Sequence, residues 1–301
     1  NRSVPPPPSS SSLSQDGGPL SINRRNLFWQ VPVASVASYS YGKLAYNSFS
    51  VQGIKYPEAH ESRVIKTIST ALSLAAASTT GRDKETFRVL EVGVGTDCRL
   101  ARRGLYSPAI RQLALEQPDI KHLDFVGIDL ETPKKTKVID EAKQQLVGAA
   151  GASSSPLDVD LEFVERSISE KTSFMSGYFD SIICCFTLCS VDDPVLAVEE
   201  MKRLLRPDGG TLGFIEHVAV KDDESFRVLN WEQKKLDRAQ QLVAHNCHLH
   251  RPTDQTLVQV MGATDSTEAS ASLLEGSERF LVDNMWPVSM QSCGVIQRRI
   301  A

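Results

Sequence analysis

One apolar run that breaks into two glycines constrains this chain more than any other stretch. Val89-Leu90-Glu91-Val92-Gly93-Val94-Gly95-Thr96 reads as a buried strand delivered into a turn. Glycines lack a Cβ, so the backbone there can pass close to a ligand. In an open α/β sheet, ligands bind at the carboxyl ends of the strands, beside the point where the strand order reverses. Glu91 narrows the choice of ligand. A carboxylate beside the loop repels a pyrophosphate but suits a molecule carrying an ammonium and a sulfonium. The glycine pair alone is ambiguous, because many strand-to-helix turns carry Gly-x-Gly for packing.

A second acid removes much of that ambiguity. Asp129 closes the segment Val126-Gly127-Ile128-Asp129-Leu130, where a strand-end carboxylate can accept hydrogen bonds from two ribose hydroxyls. Around these two motifs, strand and helix patterns alternate. Helical periodicity covers 58–77, followed by a strand at 87–92, a helix at 107–115, a strand at 123–130 and a helix at 133–146. Strands at 161–164, 179–188 and 211–217 follow, with a helix at 194–205 and a turn at Arg206-Pro207-Asp208-Gly209-Gly210. A long helix marked by Phe226, Leu229, Leu236, Ala239, Leu242 and Val243 comes next, then a loop or loose helix over 262–278. Segments 280–285 and 294–300 pair as a closing hairpin. The expected fold is α/β: a doubly wound, Rossmann-like, mostly parallel sheet with an antiparallel C-terminal hairpin.

Residues 1–57 are set apart as a disordered or targeting segment, and 58–301 as the folded domain. Pro5–Pro8 and Ser9–Ser12 cannot bury enough apolar surface to offset ordering. The segment carries one acid, Asp16, against Arg2, Arg24, Arg25, Lys43 and Lys55, as a plastid or mitochondrial transit peptide does; otherwise the protein is expected in the cytoplasm. Arg24-Arg25 also reads as a twin-arginine address, or as a basic helix making peripheral membrane contact. The chain opens on Asn1 and not Met, as a fragment or processed form does. A net charge of −4 argues against nucleic acid as a partner.

From about residue 58 onward the chain resembles a class I S-adenosylmethionine-dependent methyltransferase of the type-11 branch. The resemblance rests on Glu91-Val92-Gly93-Val94-Gly95-Thr96, Phe179-Asp180-Ser181-Ile182-Ile183-Cys184, Leu188-Cys189-Ser190-Val191-Asp192-Asp193-Pro194 and Leu204-Leu205-Arg206-Pro207-Asp208-Gly209-Gly210. Glu216-His217-Val218, and the 233–251 region with Asn246-Cys247, are similar to its thiol-methyltransferase-like members. The resemblance implies S-adenosylmethionine as cofactor. Glu91, Gly93, Gly95 and Thr96 would hold its methionine end and surroundings, and Asp129 its ribose, with Leu130 against the adenine. Ile168 and Ser169 would flank the adenine, and Cys185 would line the sulfonium side. Two departures stand out: Asp97 occupies the place of a third glycine, and Ile168-Ser169 replaces an Asp-Ala pair.

The implied reaction is methyl transfer to a small-molecule acceptor, a hydrophobic one among the candidates, at sulfur or oxygen. The alternatives are a quinone- or lipid-directed C/O-methyltransferase and a non-catalytic S-adenosylmethionine-binding assembly factor. His217, at the end of the fifth strand, is the candidate general base; Glu216 points to the opposite face. His245, Cys247, His248 and His250 are dense, but the spacing matches no closed zinc pattern, so no metal is expected. A nicotinamide-binding reading needs a glycine at 98, where Cys98 stands, and leaves Glu91 unexplained. An Asn/Asp-Pro-Pro-Tyr sequence after strand four, expected for methylation of exocyclic or amide nitrogens, is absent.

Overall fold

The computed structural model describes residues 56–78, 85–151, 156–262 and 278–298, the backbone of 271–273, and Tyr39 and Gly42. The chain divides into two units, Asn1–Lys43 and Leu44–Ala301, and the fold below belongs to the second. The targeting and membrane-contact expectations for 1–57 lie outside the described residues, apart from Tyr39, Gly42 and the Tyr56-Pro57 pair. No helix among the described residues is long and apolar enough to cross a membrane.

Elements alternate as expected. Helix α1 (Glu58–Ala77) precedes β1 (Thr86–Val92), the one-turn α2 (Arg99–Arg102) and α3 (Ser107–Glu116). Then come β2 (His122–Asp129), α4 (Thr136–Ala150), β3 (Asp158–Glu165), β4 (Ser181–Cys185), α5 (Pro194–Leu204) and β5 (Thr211–His217). The C-terminal part adds α6 (Arg227–Val243), α7 (Thr253–Met261), β6 (Ala271–Leu273), β7 (Glu278–Leu281) and β8 (Met290–Arg298).

Strand order is β3-β2-β1-β4-β5-β8-β6, with β7 also pairing β8. The first five strands are parallel, and β8 lies antiparallel between β5 and the two short strands. The expected antiparallel closing pair is β7 with β8, but in the register Glu278↔Cys293 to Leu281↔Met290 and not between 280–285 and 294–300; residues 294–298 pair β5 and β6 instead. Chain order reverses between β1 and β4. That gap is where an open sheet takes its ligand.

Strand side chains alternate between two apolar layers. Phe87, Val89, Ile183 and Ile215 face a core shared with Val64, Ile68, Tyr106, Ile110 and Leu146 of α1, α3 and α4. Leu90, Val92, Ile182, Cys184 and Phe214 face the opposite core with Val198, Met201, Leu257 and Met261 of α5 and α7. Both faces are covered, which is why the parallel strands read as continuous apolar runs and not as alternation.

Three expectations need correction. Strand four stops at Cys185 and not at Leu188, because Phe186 turns to φ +52°. Helix α4 starts three residues later than expected and runs on to Ala150, four residues beyond the expected end. The apolar markers of the long helix do not all point inward. Phe226, Leu242 and Val243 are exposed, and the buried face of α6 is Asn230, Gln233, Leu236 and Gln240. Gln233 accepts from Val220 N at 2.8 Å and donates to Val218 O at 3.2 Å, while Asn230 Nδ2 donates to Val220 O at 2.7 Å. These amides satisfy backbone groups that leave the sheet after β5. That is a polar reason for burying a helix face.

Candidate active site

The end of β1 turns at Gly93, whose φ is +81°. A Cβ on Gly93 would stand 1.8 Å from Thr187 Oγ1, so glycine is required both by conformation and by space. Thr187 Oγ1 lies 2.9 Å from Val92 O and 3.1 Å from Cys185 O, which ties the turn after β1 to the turn after β4. Gly93 N donates to Ile128 O at 2.9 Å, and Gly95 N donates to Asp129 Oδ2 at 2.9 Å. Both cofactor motifs of the sequence therefore meet at the switch point. The position after the missing third glycine carries the cost: Cys98, and not Asp97, takes the left-handed conformation, at φ +46°. Asp97 instead accepts from Arg99 Nε at 2.9 Å.

Glu91 lies just below this loop, 2 % exposed. Burial, with Asp97 and Asp129 nearby, pushes its carboxyl up to about 8, against a smaller pull from the Tyr106 hydroxyl. The carboxyl and the Tyr106 hydroxyl face each other, and both are buried. An acid buried beneath a glycine loop, its charged form penalised by desolvation, suits a polar or cationic guest.

Other predicted residues spread around the loop. Thr96 is exposed, Leu130 is 65 % exposed beside Asp129, and Cys185 is half-buried at the end of β4. Ile168 is buried in the apolar layer with Leu90, Val126 and Ile128, so only its edge can reach a ligand. Ser169 Oγ donates to Asp193 O at 3.1 Å, which fixes the start of α5. Glu216 faces away from Ile215, as the strand alternation requires. Its Oε1 accepts from Thr187 N at 2.9 Å, Leu188 N at 3.1 Å and the Cys184 thiol at 3.3 Å. It therefore holds the loop after β4 in place, and burial raises its carboxyl.

His217 is 1 % exposed, with Nε2 3.0 Å from Cys247 Sγ and Nδ1 without a partner. Of the dense 245–250 group, only Cys247 reaches it. His248 Nδ1 lies 3.0 Å from Gln241 Nε2, and Asn246 Nδ2 donates to Ser190 O at 3.1 Å.

Sequence reasoning missed an aromatic wall. Tyr56 lies 4.6 Å from His60, His60 stacks on Phe186 at 5.0 Å and 5°, and Phe186 lies 6.2 Å from His217. Arg99 sits over the Tyr56 ring at 4.9 Å, so the wall reaches the glycine loop. His60 Nδ1 lies 2.8 Å from Gln291 Oε1, and burial lowers its affinity for a proton. No local pattern signals this wall, since its members come from 56–60, 99 and 186. The positive φ of Phe186 that aims its ring is invisible in a string of letters.

A family model described as a methyltransferase domain matches residues 110–212. An uncharacterised protein of Mycobacterium bovis is 26 % identical over 128 residues, 37 % of this chain and 45 % of that protein. Thiol S-methyltransferase TMT1B of Rattus norvegicus is 36 % identical over 74 residues, 25 % of this chain and 29 % of its own length. This chain thus spans less than half the length of these curated relatives. Among solved structures, a SAM-dependent methyltransferase from Methanosarcina mazei aligns over 72 % of this chain and 94 % of its own, with TM-score 0.42 and 16 % identity. Residues 110–212, from within α3 to the start of β5, thus match a methyltransferase domain, and they lie in a sheet whose strand order reverses at the switch point.

Proposed function

We propose that this chain transfers the methyl group of S-adenosylmethionine to a small-molecule acceptor, at sulfur in preference to oxygen. The observation that carries the reading is the junction at the switch point, where Asp129 binds the Gly95 amide beside the buried Glu91 carboxyl and Tyr106 hydroxyl. These residues fit the cofactor. When bound, it supplies an electrophilic methyl on a sulfonium.

Asp129 is placed to exchange the Gly95 amide for ribose hydroxyls, and Leu130 offers an apolar face beside it. Glu91 is placed to face the ammonium end, where a positive charge would draw its proton away. Cys185 lies at the end of β4, beside the aromatic ring of Phe186, and these two line the side where a sulfonium would lie. Beyond Phe186, the wall of Tyr56 and His60 excludes water from the acceptor side. That matters because methyl transfer depends mainly on alignment and dryness. The thiol preference is supported by the name of the partly matched rat relative and by elementary chemistry: a thiol of pKa about 8.5 needs little help to become a nucleophile.

Titration calorimetry with S-adenosylhomocysteine and with NAD tests the cofactor. Binding of the first and not the second is expected, and no S-adenosylhomocysteine binding by the folded protein would sink the reading. Incubation with methyl-labelled donor then tests the acceptor. Label is expected in small alkyl or aryl thiols, and label found only in quinones or lipids would reject the sulfur assignment.

A further inference from the structure

Among the described residues, one group of soft side chains converges outside the cofactor loop. Cys189 follows β4, His217 ends β5 and Cys247 follows α6; all three are buried, and one ligand atom from each lies within 4.8 Å of the others. The cysteines are free thiols, so no disulfide explains their approach. Tetrahedral zinc, with bonds of roughly 2.0–2.3 Å to nitrogen and sulfur, places its ligand atoms about 3.5–3.8 Å apart. The His217 to Cys247 separation of 3.0 Å and the 4.8 Å ceiling bracket that spacing.

Two further features point the same way. Gln240, on the buried face of α6, turns its amide toward Cys247, and its Oε1 is buried without a hydrogen-bond partner. The amide already touches Cys247 as a donor, so a half-turn about its last bond would bring the unpartnered oxygen to the ion or to a metal-bound water. The Cys247 loop is also built to present that thiol. His245 and Asn246 both adopt left-handed backbone, at φ +47° and +59°. Backbone of this kind persists where surrounding contacts over-determine it. Those contacts are present: His248 N donates to Cys189 O at 2.8 Å, and Arg251 Nη1 donates to Leu188 O at 2.8 Å and Val191 O at 2.7 Å.

We propose that Cys189, His217 and Cys247 form a binding site for one zinc ion, with Gln240 at the fourth position. Both thiols give up their protons to solvent when the ion binds, and the imidazole coordinates through Nε2. The ion pins the 244–251 segment onto the ends of β4 and β5, on the far side of Phe186 from the cofactor loop. This assigns His217 to the metal and not to proton transfer. It also replaces the sequence expectation of no metal, which followed ligand spacing along the chain while the ligands arrive from three separate segments.

The test needs no acceptor and no turnover. Reduced, metal-stripped protein of residues 1–301 is titrated with Co²⁺, then with Zn²⁺, and followed by absorbance. One equivalent of Co²⁺ is expected to give thiolate-to-metal charge transfer and tetrahedral visible bands, bleached by one equivalent of Zn²⁺. X-ray absorption of the zinc-loaded wild type is expected to show two sulfur scatterers at about 2.3 Å. Cys189→Ser and Cys247→Ser should each remove one sulfur scatterer and weaken zinc binding at least 100-fold. Folded wild type without the charge-transfer band, or zinc held by nitrogen and oxygen alone, would overturn the proposal. The wild-type spectra decide the matter even if the variants fail to fold.

Discussion

At the scale of single residues, the site is decided by two features of β1 and its turn. The Cβ of a Gly93→Ala variant would stand 1.8 Å from Thr187 Oγ1, at a φ of +81°. Either the threonine leaves the Val92 and Cys185 carbonyls or the loop moves off Asp129. Strain of about 1–3 kcal/mol then falls on the cofactor loop, and calorimetry is expected to show S-adenosylhomocysteine affinity down at least tenfold while far-ultraviolet circular dichroism stays native. Retained affinity would mean that the loop is not the contact surface.

Glu91 makes the other residue-scale prediction. Its carboxyl rises from the ordinary 4.5 to about 8, facing Tyr106, Asp97, Asp129, Cys98 and Cys185. A raised acid of this kind contributes stability that is complete below pH 4.5 and is lost as the pH climbs toward 8. An ammonium-bearing ligand favours the ionised form, so binding releases a proton throughout that window. Affinity should therefore strengthen by up to tenfold per pH unit below about pH 8. Calorimetry in two buffers of different ionisation enthalpy would count the proton, and Glu91→Gln should flatten the slope. An unchanged slope in the variant would exclude Glu91 as its source.

At the scale of elements, the turn from α5 into β5 rests on a buried ion pair. Arg206, 1 % exposed, lies 3.2 Å from Asp180 and donates to Ala75 O at 2.9 Å, so it joins β4, β5 and the end of α1. Asp180 also accepts from Arg88 N at 2.8 Å. Removing one partner strands a buried charge, at a cost of about 3–5 kcal/mol. Urea unfolding of Arg206→Met should show that loss, and adding Asp180→Asn should recover part of it; additive losses would indicate no coupling between the two. The motif containing Arg206 was legible because Pro, Asp and two glycines mark a turn, and Gly209, at φ +85°, occupies a place where a Cβ would strike Ser78 at 2.3 Å.

Other elements were legible to differing degrees. Strands β1, β2 and β5 stood out because both faces are apolar. Strand β3 extends from Asp158 to Glu165, beyond the predicted 161–164, because an edge strand can carry Asp158, Asp160 and Glu162 outward. Helix α7 was not anticipated: Thr253–Met261 is short and buries only Thr253, Asp254, Leu257 and Met261. The amide face of α6 defeated an apolar-periodicity reading, since Asn230, Gln233 and Gln240 are buried by hydrogen bonding and not by hydrophobicity. Within the candidate site, the placement of Glu91, Gly93, Gly95 and Asp129 was readable because each stands at or just beyond a strand end. Tyr56, His60, Phe186 and the Cys189–His217–Cys247 group were not, because they exist only once the sheet is assembled.

At the scale of the whole molecule, that assembly is the point. Residues around the cofactor loop come from the approach to α1, from β1, β2 and β4, and from β8 through Gln291, so nearly the full described fold must be in place before the site exists. A ligand that binds only this state stabilises it by about 2.7 kcal/mol at a hundredfold excess over its dissociation constant. For a domain of this size, each kcal/mol moves the melting temperature by roughly 2–4 °C, which predicts a rise of about 5–10 °C with S-adenosylhomocysteine. The rise should grow from pH 6 to pH 8, because Glu91 destabilises the unliganded protein increasingly over that range and the ligand relieves it. NAD should produce no shift, and Asp129→Ala should abolish most of the effect. Scanning calorimetry distinguishes this from local tightening: the liganded transition should stay single and move as a whole. An early unfolding step left unmoved by the ligand would show that part of the described fold is not needed to build the site.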